Sequence, residues 1–117
     1  MSTPPRPALD TRLLALASMQ CRAGAPRLAA DELDGHLAAL AGWSVAAGKI
    51  VKTFPFANYH ETMAFVNALA WIAHREDHHP DLSVHYARCV VTFSTHDAGG
   101  VTLNDVICAA KAERLFA

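Results

Sequence analysis

Three histidines lie in two short segments that could carry out proton-transfer chemistry. His78 and His79 precede Pro80, and His96 lies just before a Gly-Gly pair. Because a proline excludes the residue before it from the helical region, a helix entering the first segment must end near residue 77. An unperturbed imidazole titrates at roughly pH 6.5, so it can both give and take a proton near neutrality. The two segments therefore predict a general acid–base site at the ends of secondary-structure elements.

The composition is that of one globular domain. The chain has 117 residues, which is enough for a single core, and it is 52% hydrophobic and 18% charged with a net charge of −1. A nucleic-acid-binding domain would show a clustered basic excess, which this balance lacks. No segment approaches the roughly 20 apolar residues of a membrane span. We therefore expect neither nucleic acid nor membrane as a partner.

The three cysteines, Cys21, Cys89 and Cys108, are an odd number and contain no CxxC pair. This pattern favours unpaired thiols in a reducing compartment. Arg12 precedes an apolar run over residues 13–19, but that length is at the lower limit for the core of a signal peptide. We therefore expect a cytoplasmic protein.

The hydrophobic pattern predicts an α+β fold. Residues 1–27 hold four of the six prolines and are expected to be a poorly ordered extension with one helical turn near 13–19; residues 28–117 should form the domain. The predicted elements are a helix from about Ala30, strands Trp43–Ala46 and Lys49–Phe54, a helix from Asn58 to Glu76, strands Leu82–Tyr86 and Arg88–Thr95, and a helix capped by Thr102. We predict a four-stranded antiparallel sheet with three helices on one face, in the order helix-strand-strand-helix-strand-strand-helix.

The second face of this sheet predicts self-association. Val90, Thr92 and Ser94 alternate with the core-facing residues of the last strand, so the outward face is partly apolar. Such a face, together with open strand edges, favours pairing with further copies of the chain. We therefore expect a homo-oligomer.

The histidines belong to a longer composite pattern. Its positions read His78-His79-Pro80, Tyr86, Thr95-His96, Gly100 and Asp105, with Gly42-Trp43, Phe54-Pro55-Phe56 and an opening Cys21-Arg22-Ala23-Gly24-Ala25-Pro26. Over about residues 21 to 115 the chain resembles the pterin-4a-carbinolamine dehydratases, also called 4a-hydroxytetrahydrobiopterin dehydratases. Apart from the motif, Tyr86 would be expected in the core or on a sheet face.

The resemblance implies a function and roles for particular residues. It implies dehydration of the carbinolamine that aromatic amino-acid hydroxylases leave behind, a four-stranded α+β fold, dimers or tetramers, and neither a cofactor nor a metal. His78 and His96 would be the acid–base pair, and His79 would join them mainly by positioning substrate. Thr95 and Asp105 would contact substrate, although Asp105 also lies where a helix-capping acid is expected.

One departure from the family pattern bears on catalysis. Many members have a glutamate four residues before the first motif histidine, where this chain has His74. If that glutamate orients a catalytic histidine, His74 cannot replace its charge. We expect reduced or redistributed acid–base assistance.

Two other functions compete with this hypothesis. His74 and His78 have the i, i+4 spacing that can hold zinc on one helical face, with His79, His85 or His96 as further ligands. Alternatively, the domain could be a non-enzymatic partner-binding or assembly module, as some relatives of the resembled family are.

Overall fold

The computed structural model describes residues 8–116, which form four helices and four strands. The helices are α1 (Thr11–Ala17), α2 (Ala30–Leu37), α3 (Tyr59–Glu76) and α4 (Leu103–Arg114); the strands are β1 (Ser44–Ala46), β2 (Lys49–Pro55), β3 (Asp81–Val84) and β4 (Arg88–Phe93). A short 3₁₀ helix covers His96–Ala98. None of the described helices is both long and apolar enough to cross a membrane.

The four strands form one antiparallel sheet in the spatial order β1-β2-β4-β3, which confirms the predicted sheet. β1 and β2 are joined at Ala47-Gly48, whose φ angles are 51° and 73°. Two consecutive positive φ angles are typical of a type I′ turn, whose twist matches that of the strands it joins. β2 and β4 are therefore the central strands, and β1 and β3 are the edges.

The core lies on one face of the central strands. The fully buried residues there alternate with outward residues, as expected for a sheet with one covered face; they are Ile50 and Phe54 of β2 and Cys89, Val91 and Phe93 of β4. Helices α3 and α4 pack on β4. On the opposite face Val51, Val90 and Thr92 are only half-buried.

Helix α1 corrects the predicted count and order of helices. The sequence predicts three helices, whereas the described residues form four, because α1 precedes α2 and packs on α4. Leu13, Leu16 and Ala17 are buried, and Lys111 donates a hydrogen bond to the Ala17 carbonyl at 2.8 Å. Residues 8–27, assigned to an extension, thus contribute to the core; residues 1–7 of that extension lie outside the described part of the chain.

The Gly-Trp pair ties the end of α4 to the sheet. Gly42 has a φ of 86°, and a Cβ there would meet the Lys52 side chain at 2.9 Å. The Lys52 ammonium passes over this glycine to donate to the Ala41 carbonyl at 2.8 Å, and it also pairs with Glu113. Trp43 Nε1 donates to the same carboxylate at 3.0 Å. A buried acid is thereby matched with two donors, which offsets its desolvation.

Candidate active site

The end of α3 fixes the backbone of His78. Asp77 adopts the left-handed conformation with a φ of 50°, His78 N donates to the Ala73 carbonyl at 3.1 Å, and Asp77 N donates to the His74 carbonyl at 3.3 Å. This pair of bonds is the Schellman motif, which ends a helix and redirects the chain. The prediction that the helix must end just before the histidine pair is confirmed.

The start of α4 supplies a buried carboxylate. Asp105 is fully buried, and its Oδ2 accepts hydrogen bonds from Thr102 N and from Thr95 Oγ1, both at 2.8 Å. The Thr95 and Thr102 hydroxyls are themselves 2.8 Å apart. Because the first N–H groups of a helix have no intrahelical acceptor, a carboxylate at this position stabilises the helix start.

His78 meets this carboxylate at its second oxygen. The distance from His78 Nε2 to Asp105 Oδ1 is 2.5 Å, and the histidine side chain is 12% exposed while the carboxylate is fully enclosed. The imidazole also lies parallel to the Phe93 ring, with 6.1 Å between centroids. The ionised form of a carboxylate only accepts hydrogen bonds, so it pairs with the His78 tautomer that carries its proton on Nε2 and leaves Nδ1 for other chemistry.

His78 lies on the wall of a cavity of about 710 Å³. The charged residues of the wall are three arginines and three acids, namely Arg22, Arg27, Arg75, Glu76, Asp77 and Asp97. Residues 21–27 form one side of the cavity, and we call them the wall segment. Such a concave, polar space beside a paired histidine can hold a small molecule rich in hydrogen-bonding groups.

Hydrogen bonds to two helices hold the wall segment in place. Cys21 N donates to Glu76 Oε1 at 2.8 Å, at the end of α3. Arg22 N donates to Asn104 Oδ1 at 3.1 Å, and Asn104 Nδ2 donates back to the Arg22 carbonyl at 2.8 Å. Reasoning from local sequence patterns did not identify these wall residues, and the resemblance of residues 21–26 to a family leader was the one signal that pointed to them.

The structure brings together three of the five predicted site residues. His78, Thr95 and Asp105 form one hydrogen-bonded cluster. His79 directly follows His78, and His96 directly follows Thr95, but both are exposed and neither contributes to the cavity wall formed by residues of the described range 8–116. The two outer histidines are thus near the cluster in sequence without sharing its burial.

Tyr86 of the composite pattern lies elsewhere. It falls in the turn between β3 and β4, is 67% exposed, and stacks on Tyr59 with 6.4 Å between ring centroids. The prediction of a core or sheet-face position is therefore wrong, because β3 ends at Val84 before reaching it.

His74 faces away from this cluster. Its exposed ring contacts Trp71, with 5.5 Å between centroids, while His78 is directed to Asp105. Within residues 8–116, no group of three or more histidine, cysteine or acidic side chains is arranged to hold a metal ion. The i, i+4 histidines thus have different neighbours.

Comparison with known proteins identifies the family. The profile of the family described as pterin 4 alpha carbinolamine dehydratase matches residues 26–115. The chain belongs to this family. A provisionally named pterin-4-alpha-carbinolamine dehydratase of Chromobacterium violaceum is 63% identical over 93 residues, covering 80% of this chain and 86% of the relative. A relative of the same provisional name from Xanthomonas campestris pv. campestris is 53% identical over 114 residues, covering 91% of this chain and 94% of its own length.

A solved structure also resembles this dehydratase-family chain. The crystal structure of a transcriptional coactivator/pterin dehydratase from Brucella melitensis superposes with a TM-score of 0.75 at 32% identity, covering 78% of this chain and 99% of the other. The family match begins at residue 26, so α1 and most of the wall segment precede it.

Proposed function

We propose that this protein dehydrates a 4a-hydroxytetrahydropterin, the pterin-4a-carbinolamine, to the quinonoid dihydropterin. The observation that supports this most directly is that His78, on the wall of a cavity, pairs with the buried Asp105 carboxylate in a member of this family. The reaction moves two protons: the C4a hydroxyl takes up one and leaves as water, and N5–H releases the other as the C4a=N5 bond forms. Each positioned acid or base is typically worth about 10²- to 10⁴-fold in rate.

His78 is the best-positioned proton carrier. Asp105 accepts the Nε2 proton, which fixes both the ring orientation and the tautomer, so that Nδ1 is the nitrogen available to take up or return a substrate proton. The carboxylate also stabilises the positive charge that forms when Nδ1 is protonated. Partial burial limits competition from water at the ring.

We assign His96 as the second member of the acid–base pair and His79 as a residue that positions substrate. Both are exposed beside the buried cluster, so solvent protons reach them readily. Two catalytic groups in different surroundings suit a reaction that needs one donor and one acceptor at the same time.

For Asp105 we replace the predicted substrate contact with a positioning role. Its side chain has no exposure, and its two oxygens already accept from three donors. It therefore acts on substrate through His78. Thr95 donates its hydroxyl proton to the same carboxylate, so its predicted substrate contact would be made through the oxygen lone pairs.

The substrate would come from the hydroxylation of aromatic amino acids, which leaves its pterin as the carbinolamine. The expelled hydroxyl takes its electron pair from the C4a–O bond while the N5–H electrons form the new double bond, so no redox cofactor is consumed. We place this recycling in the cytoplasm, since three unpaired thiols suit a reducing compartment.

We also propose that the protein assembles as a homo-oligomer, a dimer or a tetramer. The outward face of the central strands carries half-buried Val51, Val90 and Thr92, and the edges β1 and β3 have no strand beyond them in the described chain. Apolar surface and open edges of this kind are usually covered by another subunit.

A turnover assay with 4a-hydroxytetrahydropterin tests the function. His78→Ala and His96→Ala should each lower the dehydration rate by at least about tenfold, while His79→Ala should mainly raise the apparent KM. His60→Ala is the matched control, because His60 is an exposed histidine in the first turn of α3. Rates like the wild type in both the His78 and His96 variants would refute the proposal.

A further inference from the structure

Two cysteines far apart in sequence meet beside the cavity. Cys21 Sγ and Cys108 Sγ are 3.5 Å apart, although 87 positions separate them in the chain. Cys21 is half-buried and belongs to the cavity wall, whereas Cys108 is fully buried in α4, three residues after Asp105. The pair therefore connects the wall segment to the helix that carries the buried carboxylate.

The surrounding contacts hold the two sulfurs next to each other. The Cys21 backbone is fixed by its hydrogen bond to Glu76, and its thiol lies 3.6 Å from the Asn104 carbonyl of α4. The reciprocal bonds between Arg22 and Asn104 hold the next residue of the wall segment against the same helix. The thiols are thus pre-positioned by four contacts that do not depend on the sulfurs bonding to each other.

We propose that Cys21 and Cys108 are a redox modification site, which closes into a reversible disulfide that locks the wall segment onto α4. A disulfide has an S–S length of about 2.05 Å, so the sulfurs must approach by roughly 1.5 Å. The Cys21 side chain can supply this movement, since it is only half-buried. In a reducing compartment such a pair normally remains as two thiols, and it forms the disulfide when an oxidant is present.

A peroxide is the oxidant class that the chemistry requires. Cys21 loses its thiol proton and its sulfur attacks one peroxide oxygen; the O–O bond breaks, Cys21 becomes a sulfenic acid, and the departing hydroxide takes up the thiol proton to leave as the first water. The Cys108 sulfur then attacks the Cys21 sulfur, and the released hydroxide takes the Cys108 proton to form the second water. Two thiols and one peroxide thus give one disulfide and two waters.

The order of these steps follows from accessibility and ionisation. Cys21 is on the cavity wall, where a peroxide can reach it. The hydrogen bond with Cys21 and burial raise the pKa of the Cys108 thiol far above its usual range. Cys108 therefore stays protonated until the sulfenic acid has formed beside it, which makes it the resolving cysteine.

Cys89 provides a matched control. It is fully buried in β4, on the core face of the sheet, and burial raises the pKa of its thiol. Cys89 has the same thiol group but is not part of the Cys21–Cys108 contact, so we expect oxidation to leave it unmodified.

The test is peptide mapping by mass spectrometry under non-reducing conditions, after hydrogen peroxide treatment of the full-length protein. We expect a cross-linked peptide pair joining Cys21 to Cys108, lighter by two hydrogens and restored by dithiothreitol. Cys89→Ala should give the same product, and Cys21→Ala and Cys108→Ala should give none. Oxidation should raise the thermal midpoint by about 10 °C, as expected for a disulfide closing a long loop, and should slow amide exchange over residues 22–27.

Other oxidation products would overturn the proposal. Sulfinic acid or a glutathione adduct at Cys21 without the cross-link, cross-links between chains, or a cross-link involving Cys89 would each show that the pair does not close. No pterin enters the measurement, so its outcome is independent of the proposed dehydratase activity.

Discussion

Replacing Asp105 with asparagine tests whether one buried carboxylate serves both the fold and the chemistry. Asparagine keeps the shape of the side chain but turns one acceptor into an NH₂ donor. Thr102 N and Thr95 Oγ1 need an acceptor at Oδ2, so the amide oxygen should take that side and the NH₂ should face His78. His78 would then have to accept at Nε2 and carry its proton on Nδ1, the opposite tautomer.

The size of both effects follows from the three hydrogen bonds. A bond to a charged partner contributes about 1.5–3 kcal/mol and a neutral one about 1, so three bonds that lose their charge should cost about 3 kcal/mol of unfolding free energy. A domain of this size is typically stable by about 5–15 kcal/mol, so the variant should remain folded. With the wrong nitrogen protonated, turnover should fall by about 10²- to 10⁴-fold.

Two measurements on the same preparation separate these effects. Urea denaturation should show a lower midpoint, and the dehydration assay should show a loss of kcat that exceeds any change in KM. Asp34→Asn is the matched control, because it removes one negative charge from an exposed position on α2. A folded Asp105→Asn protein that turns over like the wild type would refute the positioning role of Asp105.

Three further predictions concern other parts of the molecule. Hydrogen bonds from Arg12 lower the pKa of Asp10 from 3.8 to about 2. A carboxyl group whose pKa is lower in the folded than in the unfolded state stabilises the fold above its unfolded pKa, and this stabilisation is lost as the pH falls through its folded pKa. Asp10→Asn should therefore flatten the loss of stability between about pH 4 and pH 2 in thermal melts followed by circular dichroism, and an unchanged pH profile would contradict this. His74→Glu adds a negative charge to the last turn of α3, but the His74 ring contacts Trp71 whereas His78 pairs with Asp105, so turnover and its pH optimum should change little; an upward shift of the pH optimum would show that the new carboxylate reaches a catalytic imidazole. Val90→Lys places a charge on the uncovered sheet face and should reduce the oligomer to monomers in light scattering, whereas a wild-type monomer at micromolar concentration would disprove the assembly.

The parts that the sequence predicts well are those determined by local chemistry. Pro80 excludes helical backbone at His79, and α3 indeed ends at Glu76. The Ala47-Gly48 turn and the alternation in β4 likewise depend on neighbouring residues, and both appear where expected. Asp105 could be recognised as a capping acid because a cap depends on residues only three positions apart.

The parts that the sequence predicts incompletely or not at all depend on distant contacts. Helix α1 has seven residues, fewer than the roughly 12–15 an isolated helix needs, so its stability comes from burying Leu13 and Leu16 and packing on α4. The Cys21–Cys108 contact joins positions 87 residues apart, which no local pattern encodes. The direction of His74 toward Trp71 also depends on the surface it faces.

Asp105 serves both the helix start and the proposed chemistry, and this affects which residues are retained once selection for the reaction is lost. The carboxylate is needed at the first turn of α4 whether or not a substrate ever arrives. His78, in contrast, could be lost with little damage to the helix ends, since its Schellman bond uses only the backbone. A lineage that abandons the reaction should therefore lose its histidines while retaining this acid. An intact aspartate at this position is evidence of a preserved fold, and activity has to be inferred from the histidines beside it.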